Sequence, residues 1–430
     1  MIKILVIAYM FPPLAGGGTQ RPLKFVKYLP HYGITPVVFC PHEAVWKTYD
    51  ATLLDLPFLR EVKIYRKGIR SLRRYYHLRY EKGYQFHPYF YLIGIRFLFH
   101  LDIFSAWYFE CRQAVLKIIK EEKIDCVLTT SPPHSSHLFG QFIKKHAGIP
   151  WLMDIRDTMV DDPNLPASLV SQLQAPLRLW YEKKFFSSAD AIISVSDPII
   201  ESIDSRHGSL KLASKLSTIT NGFDDDDFAH IPLDQRSREH MRITYTGSFM
   251  GKQTPQTFLE AIALLVKKNA IDPNDLRLRF IGDFDENVQH IFNRFSKQIP
   301  IEIEDFQPYE KALYHQANSD LLLLIVSTDT KKEGANQTMT GKFFEYIGAQ
   351  RPIFALVPGG PLKVTIDKGG FGISVPPKCI HQIAKIFKKI YDQWKFEGRI
   401  QYHPDIKLRA NFSRKRLTGK LASIVNSLNI

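Results

Sequence analysis

Met1-Ile2-Lys3-Ile4-Leu5-Val6-Ile7-Ala8-Tyr9-Met10-Phe11-Pro12-Pro13-Leu14-Ala15-Gly16-Gly17-Gly18-Thr19-Gln20-Arg21 opens the chain, and its order of residue types decides the fold. Ile2 to Ala8 is short, apolar from Ile4 onward and rich in branched side chains. It runs into a Pro-Pro turn and three glycines, and helical spacing follows around Leu23 to Leu29. A strand with no polar alternation, then a glycine loop and a helix, is what a parallel sheet covered on both faces requires. The segment could be mistaken for a signal peptide, but it lacks a small-residue cleavage site and continues into Phe11-Pro12-Pro13, so a buried first strand is expected.

The same alternation continues outward from this unit. Strands are predicted at Pro36 to Phe39, Cys126 to Thr129, Trp151 to Met153, Ala191 to Val195, Ile243 to Tyr245, Leu278 to Ile281, Leu321 to Val326 and Ile353 to Leu356, with amphipathic segments between them. The pattern breaks near Asn221 to Met241, where Asn221-Gly222-Phe223 precedes four aspartates and then Pro232, Asp234, Arg236 and Arg238. The chain therefore divides into an N-terminal Rossmann-like domain at 1–220, a linker at 221–240, a C-terminal Rossmann-like domain at 241–405 and a closing segment at 406–430. Apolar residues Leu417, Leu421, Ile424, Val425 and Leu428 predict that the last segment is an amphipathic helix. Ligands of such domains sit at the carboxyl ends of the strands.

Composition excludes several classes. With 45% hydrophobic and 23% charged residues over 430 positions, the chain is neither disordered nor fibrous. Its formal charge of +14 favours phosphate-bearing partners without naming one, and no nucleic-acid-reading motif accompanies it. Cys40, Cys111, Cys126 and Cys379 form no C-x-x-C pair, which argues against a zinc ribbon or disulfide framework and for a reducing cytoplasm. No apolar run reaches the length of a spanning helix, since even Phe90 to Phe99 contains Arg96. One segment, about 68–104, departs from the alternation with Arg70, Arg73, Arg74, Arg79 and Lys82 among eleven aromatics. It reads either as an anionic-membrane surface or as an insertion with its own aromatic core.

Candidate chemistry lies in loops that follow predicted strands. Gly17 and Gly18 let backbone amides approach an anion or a sugar, although Gly16-x-Gly18 lacks the third glycine of a dinucleotide fingerprint; a simple glycine turn is the alternative. Gln337-Thr338-Met339-Thr340-Gly341-Lys342-Phe343-Phe344-Glu345-Tyr346 brings a helix cap, an uncovered first turn and a cation to one helix end. Glu345 lies one turn beyond Lys342, placed to accept from ribose hydroxyls or to form a surface ion pair. Asp154-Ile155-Arg156-Asp157 follows a strand and either reaches the ligand or forms an internal Arg-carboxylate lock. Ser131 and His134 occupy the corresponding loop after the strand at Cys126. The run Asp224 to Asp227 lacks the alternation of a calcium loop, and no metal is expected there.

Taken in order, these segments resemble retaining glycosyltransferases of family 4. The series is Phe11-Pro12-Pro13 with Gly16-Gly17-Gly18, Thr130-Ser131-Pro132-Pro133, Asp154 to Asp157, Ala189-Asp190-Ala191 with Val195-Ser196, Asn221-Gly222-Phe223-Asp224, Tyr245-Thr246-Gly247-Ser248, and Thr340 to Tyr346 ending at Arg351-Pro352. The resemblance implies the GT-B fold, two facing Rossmann-like doubly wound α/β domains with a central cleft. It also implies transfer of a sugar from a nucleotide-sugar donor to an acceptor hydroxyl with retention and without a divalent metal. By the same resemblance Glu345 holds the ribose, and Thr338, Met339, Thr340 and Gly341 face the diphosphate and sugar. Gly17 and Gly18 close over the donor, while Ser131, Asp154, Arg156 and Asp157 line the acceptor side as the catalytic candidates.

Two positions depart from the family pattern. Gln337 stands where many members have a glutamate, and an amide there still bonds sugar hydroxyls. Ser248 follows Gly247 where an arginine is often near, leaving Lys252 and Lys342 as the available cations. The expected setting is cell-surface glycan or polysaccharide synthesis on a lipid-linked or glycan acceptor, in the cytoplasm at the inner membrane face. A nucleotide-sugar epimerase of the same architecture and a catalytically silent binding protein are the alternatives.

Overall fold

The computed structural model describes residues 1–42, 48–68, 101–102, 104–160, 172–234, 239–249, 253–326, 339–428 and 430. The chain forms two units, Met1–Thr220 with Arg414–Ile430, and Asn221–Ser413.

The first unit is built on β1 (Ile2–Ala8), β2 (Ile34–Pro41), β3 (Lys63–Lys67), β4 (Cys126–Thr130), β5 (Trp151–Ile155), β6 (Ala191–Ser194) and β7 (Leu216–Thr218). These lie in the order β3-β2-β1-β4-β5-β6-β7, and all of the pairings are parallel. Val6 faces Val38 on one side and Leu128 on the other, which makes β1 the central strand. Ile4 to Ala8 are fully buried, as their unbroken apolar sequence requires. Trp107 stacks on Phe39 at 5.4 Å and meets Phe139 edge-on at 4.8 Å, so helices Ser105–Glu122 and Ser136–Ala147 share one aromatic layer over the sheet.

The second unit repeats the plan with β8 (Met241–Thr246), β9 (Leu276–Ile281), β10 (Ile301–Glu304), β11 (Leu321–Ile325), β12 (Ile353–Leu356) and β13 (Gly372–Val375). Their order is β10-β9-β8-β11-β12-β13, again parallel throughout. One core packs around Phe258, Phe280, Phe292 and Phe387, and another around Phe223, Phe343, Phe344 and Phe371.

Nine strands are predicted from the sequence, and each is present. The four it omits, β3, β7, β10 and β13, are the outer strands of the two sheets. Edge strands are short and tolerate charge, as Lys63-Ile64-Tyr65-Arg66-Lys67 and Ile301-Glu302-Ile303-Glu304 show, so they lack the apolar signature of a covered strand.

Two further segments are placed by packing. Residues 221–240, read as a linker, begin the second unit: Phe223 is buried beside Phe343 and Phe344, and the Asp224 side chain accepts from the amide of Asp226 to cap helix Asp225–Ala229. The closing helix runs Arg414–Asn426, with Leu417, Leu421 and Val425 buried. It packs against helix Gly17–Tyr28 of the first unit, and the Tyr32 hydroxyl donates to the Lys415 carbonyl at 2.8 Å. The basic aromatic segment lies outside the described residues except for Gly68, Leu101, Asp102 and Phe104. No described helix is long and apolar enough to cross a membrane.

Candidate functional site

Both sheets reverse their winding once, between β1 and β4 in the first unit and between β8 and β11 in the second. Diverging loops at such a reversal leave a crevice at the carboxyl ends of the strands. The candidate residues gather at these two places.

In the first unit, Gly16 adopts φ 99°, a conformation only glycine takes without strain, and turns the chain from the Pro-Pro segment into helix Gly17–Tyr28. Pro22 sits inside this helix and has no N–H to give the carbonyl four residues back, that of Gly18. The Gly18 carbonyl accepts instead from Arg156 Nη1 at 2.7 Å. Arg156 Nε donates to the Ser131 carbonyl, so one guanidinium ties the loop after β1 to the loop after β4. Its remaining nitrogen, Nη2, is buried and has no hydrogen-bond partner among the described residues. Burial lowers the Arg156 pKa, and the nearby carboxylates of Asp154 and Asp157 oppose that shift. Asp157 lies partly exposed just beyond β5.

Asp154 resolves to the lock. Its carboxylate is fully buried and receives Arg21 Nη2 at 2.8 Å, Arg21 Nε at 3.0 Å and the Thr130 hydroxyl at 2.7 Å. The partner is Arg21 rather than Arg156, and Arg21 also donates to the Thr220 carbonyl at 2.9 Å. Ser131 is buried, with its amide donating to the Asp154 carbonyl at 3.0 Å and its hydroxyl directed to the same oxygen at 3.4 Å. These contacts fix the loops; Asp154 presents no surface to a ligand. The His134 imidazole is held down to about 4 by burial and by the charges of Arg156 and Arg178, and is therefore neutral at neutral pH.

In the second unit, β8 ends at Thr246 and the chain turns at Gly247 with φ 95°. A Cβ at Gly247 would stand 2.6 Å from Lys342 Cε, so the missing side chain is the space Lys342 occupies. Lys342 Nζ donates to the Tyr245 hydroxyl at 2.6 Å and to the Ser248 carbonyl at 3.0 Å, and lies 4.5 Å from the centre of the Tyr245 ring. Burial pushes this amine down to about 8, while the Glu345 carboxylate pulls it upward. Lys342 stands in the first turn of helix Gly341–Gly348. Thr340 is the N-cap residue but makes no side-chain cap bond, and a Cβ on Gly341 would meet nothing within 4 Å. An uncapped helix start with an amine beside it is suited to an anion. Met339 packs against the Phe343 cluster. Glu345, one turn on, accepts from Gln316 Nε2 at 3.2 Å. Lys252, Gln337 and Thr338 lie outside the described residues.

Four contributors were not singled out from the sequence: Arg21, Tyr245, Gln316 and Tyr346. Arg21 ends the opening stretch, but its partner lies 133 positions away. Tyr245 and Tyr346 lie inside the quoted motifs with no role of their own, and Gln316 lies in a stretch that carries no motif. The aspartate run accounts for itself, with Asp224 capping, Asp225 paired to Arg409 at 2.8 Å and Asp227 accepting from Tyr309 at 3.1 Å. Among the described residues no group of three or more His, Cys, Asp or Glu could hold a metal ion.

The family model described as a glycosyl transferase 4-like domain matches residues 16–211, the stretch from the glycine loop almost to β7. The match falls within the N-terminal unit. The family 4 resemblance read from the ordered motifs is borne out, and the two parallel-sheet units together are the GT-B fold. A glycosyltransferase from Rickettsia africae is similar over 99% of both chains at 16% identity and a TM-score of 0.62. Anabaena HepE, in complex with UDP and glucose, is similar over 100% of both chains at 15% identity and a TM-score of 0.61. A protein assigned as a UDP-N-acetylglucosamine 2-epimerase from Listeria monocytogenes is similar at 11% identity and a TM-score of 0.57, over 99% of this chain and 96% of its own. No curated protein matches the chain in sequence.

Proposed function

We propose that the protein is a retaining hexosyltransferase. In this reading it carries a sugar from a nucleotide-sugar donor to an acceptor hydroxyl during cell-surface glycan or polysaccharide synthesis. The observation that carries the donor half is the meeting of Gly247, Lys342 and Glu345 at the sheet reversal of the second unit. There the amides from Thr340 onward and the Lys342 amine stabilise charge on the departing diphosphate, and Glu345 accepts from ribose hydroxyls. The Anabaena protein of the same fold, which holds UDP and glucose, makes a UDP-sugar the first donor to try.

The first unit takes the acceptor in this reading, with Arg156 Nη2, Asp157 and the Ser131 loop at its carboxyl edge. Asp154 is occupied by Arg21 and Thr130 and is not the base. That suits a same-face mechanism in which the leaving phosphate oxygen takes the acceptor proton. Lys342 supplies the cation at the diphosphate, and the reading needs no divalent metal.

Membrane work on a lipid-linked acceptor, from the cytoplasmic side, is part of the proposal. Support comes from helix Ala175–Ser188, where Leu179 (42% exposed) and Trp180 (51% exposed) face outward beside Lys183 and Lys184. Flotation with anionic vesicles tests it; protein that stays in the soluble fraction at low salt would count against attachment.

Thermal shift with UDP, GDP and their sugar conjugates, followed by nucleotide release with and without a membrane lipid extract, tests the whole. A ligand of the folded state raises the melting temperature, and Lys342→Ala and Glu345→Ala should each abolish transfer. Unchanged turnover in both variants would refute the donor site as drawn. The Listeria neighbour favours one second reading, epimerisation, which would convert a donor sugar with no acceptor present.

A further inference from the structure

Gln316 is fully buried on helix Tyr309–Ala317, where a leucine would satisfy packing. Its Nε2 donates to the Thr246 hydroxyl at 3.0 Å and to Glu345 Oε2 at 3.2 Å. The amide has one chemically acceptable orientation: turned over, its oxygen would face the carboxylate, acceptor against acceptor. In that orientation Oε1 is buried with no partner among the described residues. Leaving a buried acceptor unsatisfied is destabilising, so stability alone does not explain a glutamine here.

The same network fixes the backbone beneath Glu345. Thr246, the last residue of β8 before Gly247, donates its amide to the Tyr346 hydroxyl at 3.0 Å. Tyr346 is fully buried and follows Glu345 directly in the helix. Helix Gly341–Gly348 is thereby tied to the strand end by Tyr346, and the Glu345 carboxylate is aimed by Gln316. The amide adds direction without adding charge. An arginine or lysine at 316 would neutralise the carboxylate, whereas a neutral donor preserves its capacity to accept from hydroxyls.

We propose that Gln316 is the positioning residue of the donor site, orienting Glu345 so that its carboxylate recognises the vicinal hydroxyls of a nucleoside diphosphate. The inference rests on the reading of Glu345 as the ribose ligand. It goes further in assigning diol selectivity to a buried residue that never meets the nucleotide.

The test is calorimetric titration of the full chain with UDP and 2′,3′-dideoxy-UDP, and with the corresponding GDP pair. The expected wild-type preference for the diol is about tenfold or more, since a site built to bond hydroxyls rejects an analogue lacking them. Glu345→Ala should erase that preference. Gln316→Leu should reduce it to about threefold or less, while affinity for the dideoxy nucleotide, set by the phosphates, stays within about twofold. Gln316→Glu puts a second carboxylate beside Glu345, and its diol preference should recover as pH falls from about 8 to 5 and the pair shares a proton. A packing role would not produce that pH signature. Should Gln316→Leu fail to fold, Thr246→Val removes the amide's other acceptor and should also weaken the preference.

The outcomes separate cleanly. Wild-type preference that Glu345→Ala loses but Gln316→Leu and Thr246→Val both retain overturns the role of Gln316 alone. Absence of any diol preference in the wild type, or its persistence in Glu345→Ala, overturns the reading of Glu345. Failure of the wild type to bind either nucleotide overturns both.

Discussion

Nucleotide affinity should fall as pH rises through 8, and Lys342 is the reason. Burial against Tyr245 and the Ser248 carbonyl lowers its amine to about 8, from an ordinary value of 10.5. Free enzyme is then protonated at Lys342 to about nine-tenths at pH 7 and about one-tenth at pH 9. A diphosphate binds the ammonium form, so between these two pH values the dissociation constant should rise about tenfold, close to 1.4 kcal/mol. Above pH 7 the terminal phosphate of the nucleotide is already ionised and contributes little slope.

The sign for folding is opposite. A lysine whose folded pKa lies below its unfolded value binds fewer protons when folded, so its penalty is present below pH 8 and is relieved as pH climbs toward 10.5. Ligand-free protein should therefore gain stability from this group over the interval in which it loses affinity. Calorimetric titration of UDP and GDP from pH 7 to 9.5 measures the first trend, and thermal melts without ligand measure the second. Lys342→Gln should bind weakly with a flat profile. A flat wild-type profile, or the same slope in Lys342→Gln, would refute the reasoning.

Other perturbations follow from the same contacts. Arg21→Met leaves the Asp154 carboxylate buried without its cation. It should cost about 3–5 kcal/mol, a melting temperature lower by about 6–20 °C for a unit of this size. Arg21→Met combined with Asp154→Asn should recover most of that loss, and a double-mutant cycle in urea reads the coupling. Gly247→Ala places a Cβ 2.6 Å from Lys342 Cε at φ 95°. We expect about 1–2 kcal/mol of destabilisation, with weaker nucleotide binding because Lys342 must move. Asp224→Ala removes the cap of helix Asp225–Ala229 and should cost about 1 kcal/mol with nucleotide affinity unchanged, as a urea midpoint and a titration would show.

The strands that the sequence revealed are those covered on both faces, such as Leu321–Ile325, whose five residues are all buried. Those it hid are the four sheet edges, where half-covered backbone admits lysine, arginine and glutamate in β3 and β10 and small or polar residues in β7 and β13. Helix Gly341–Gly348 was legible as a candidate site because its signal is local: Thr340, Gly341, Lys342 and Glu345 lie within two turns, and helix geometry alone places them together. The lock was only half legible. Asp154 and Arg156 suggested an Arg-carboxylate pair by proximity, but β5 ends at Ile155, Arg156 turns to the Ser131 and Gly18 carbonyls, and the arginine that reaches Asp154 comes from the first helix.

By itself, then, the sequence determined the α/β class, the positions along the chain of the covered strands, the glycine turns and the candidate residues of helix Gly341–Gly348. Each of these depends on spacing within a few residues. Tertiary structure alone decided that Arg21 closes on Asp154, that the Gly18 carbonyl freed by Pro22 is taken by Arg156, and that Gln316 aims Glu345. Those pairings span from 29 to 138 positions and carry no period in the chain. They exist because parallel strands with right-handed crossovers bring the ends of distant strands to one edge of a sheet, where buried polar groups must find partners.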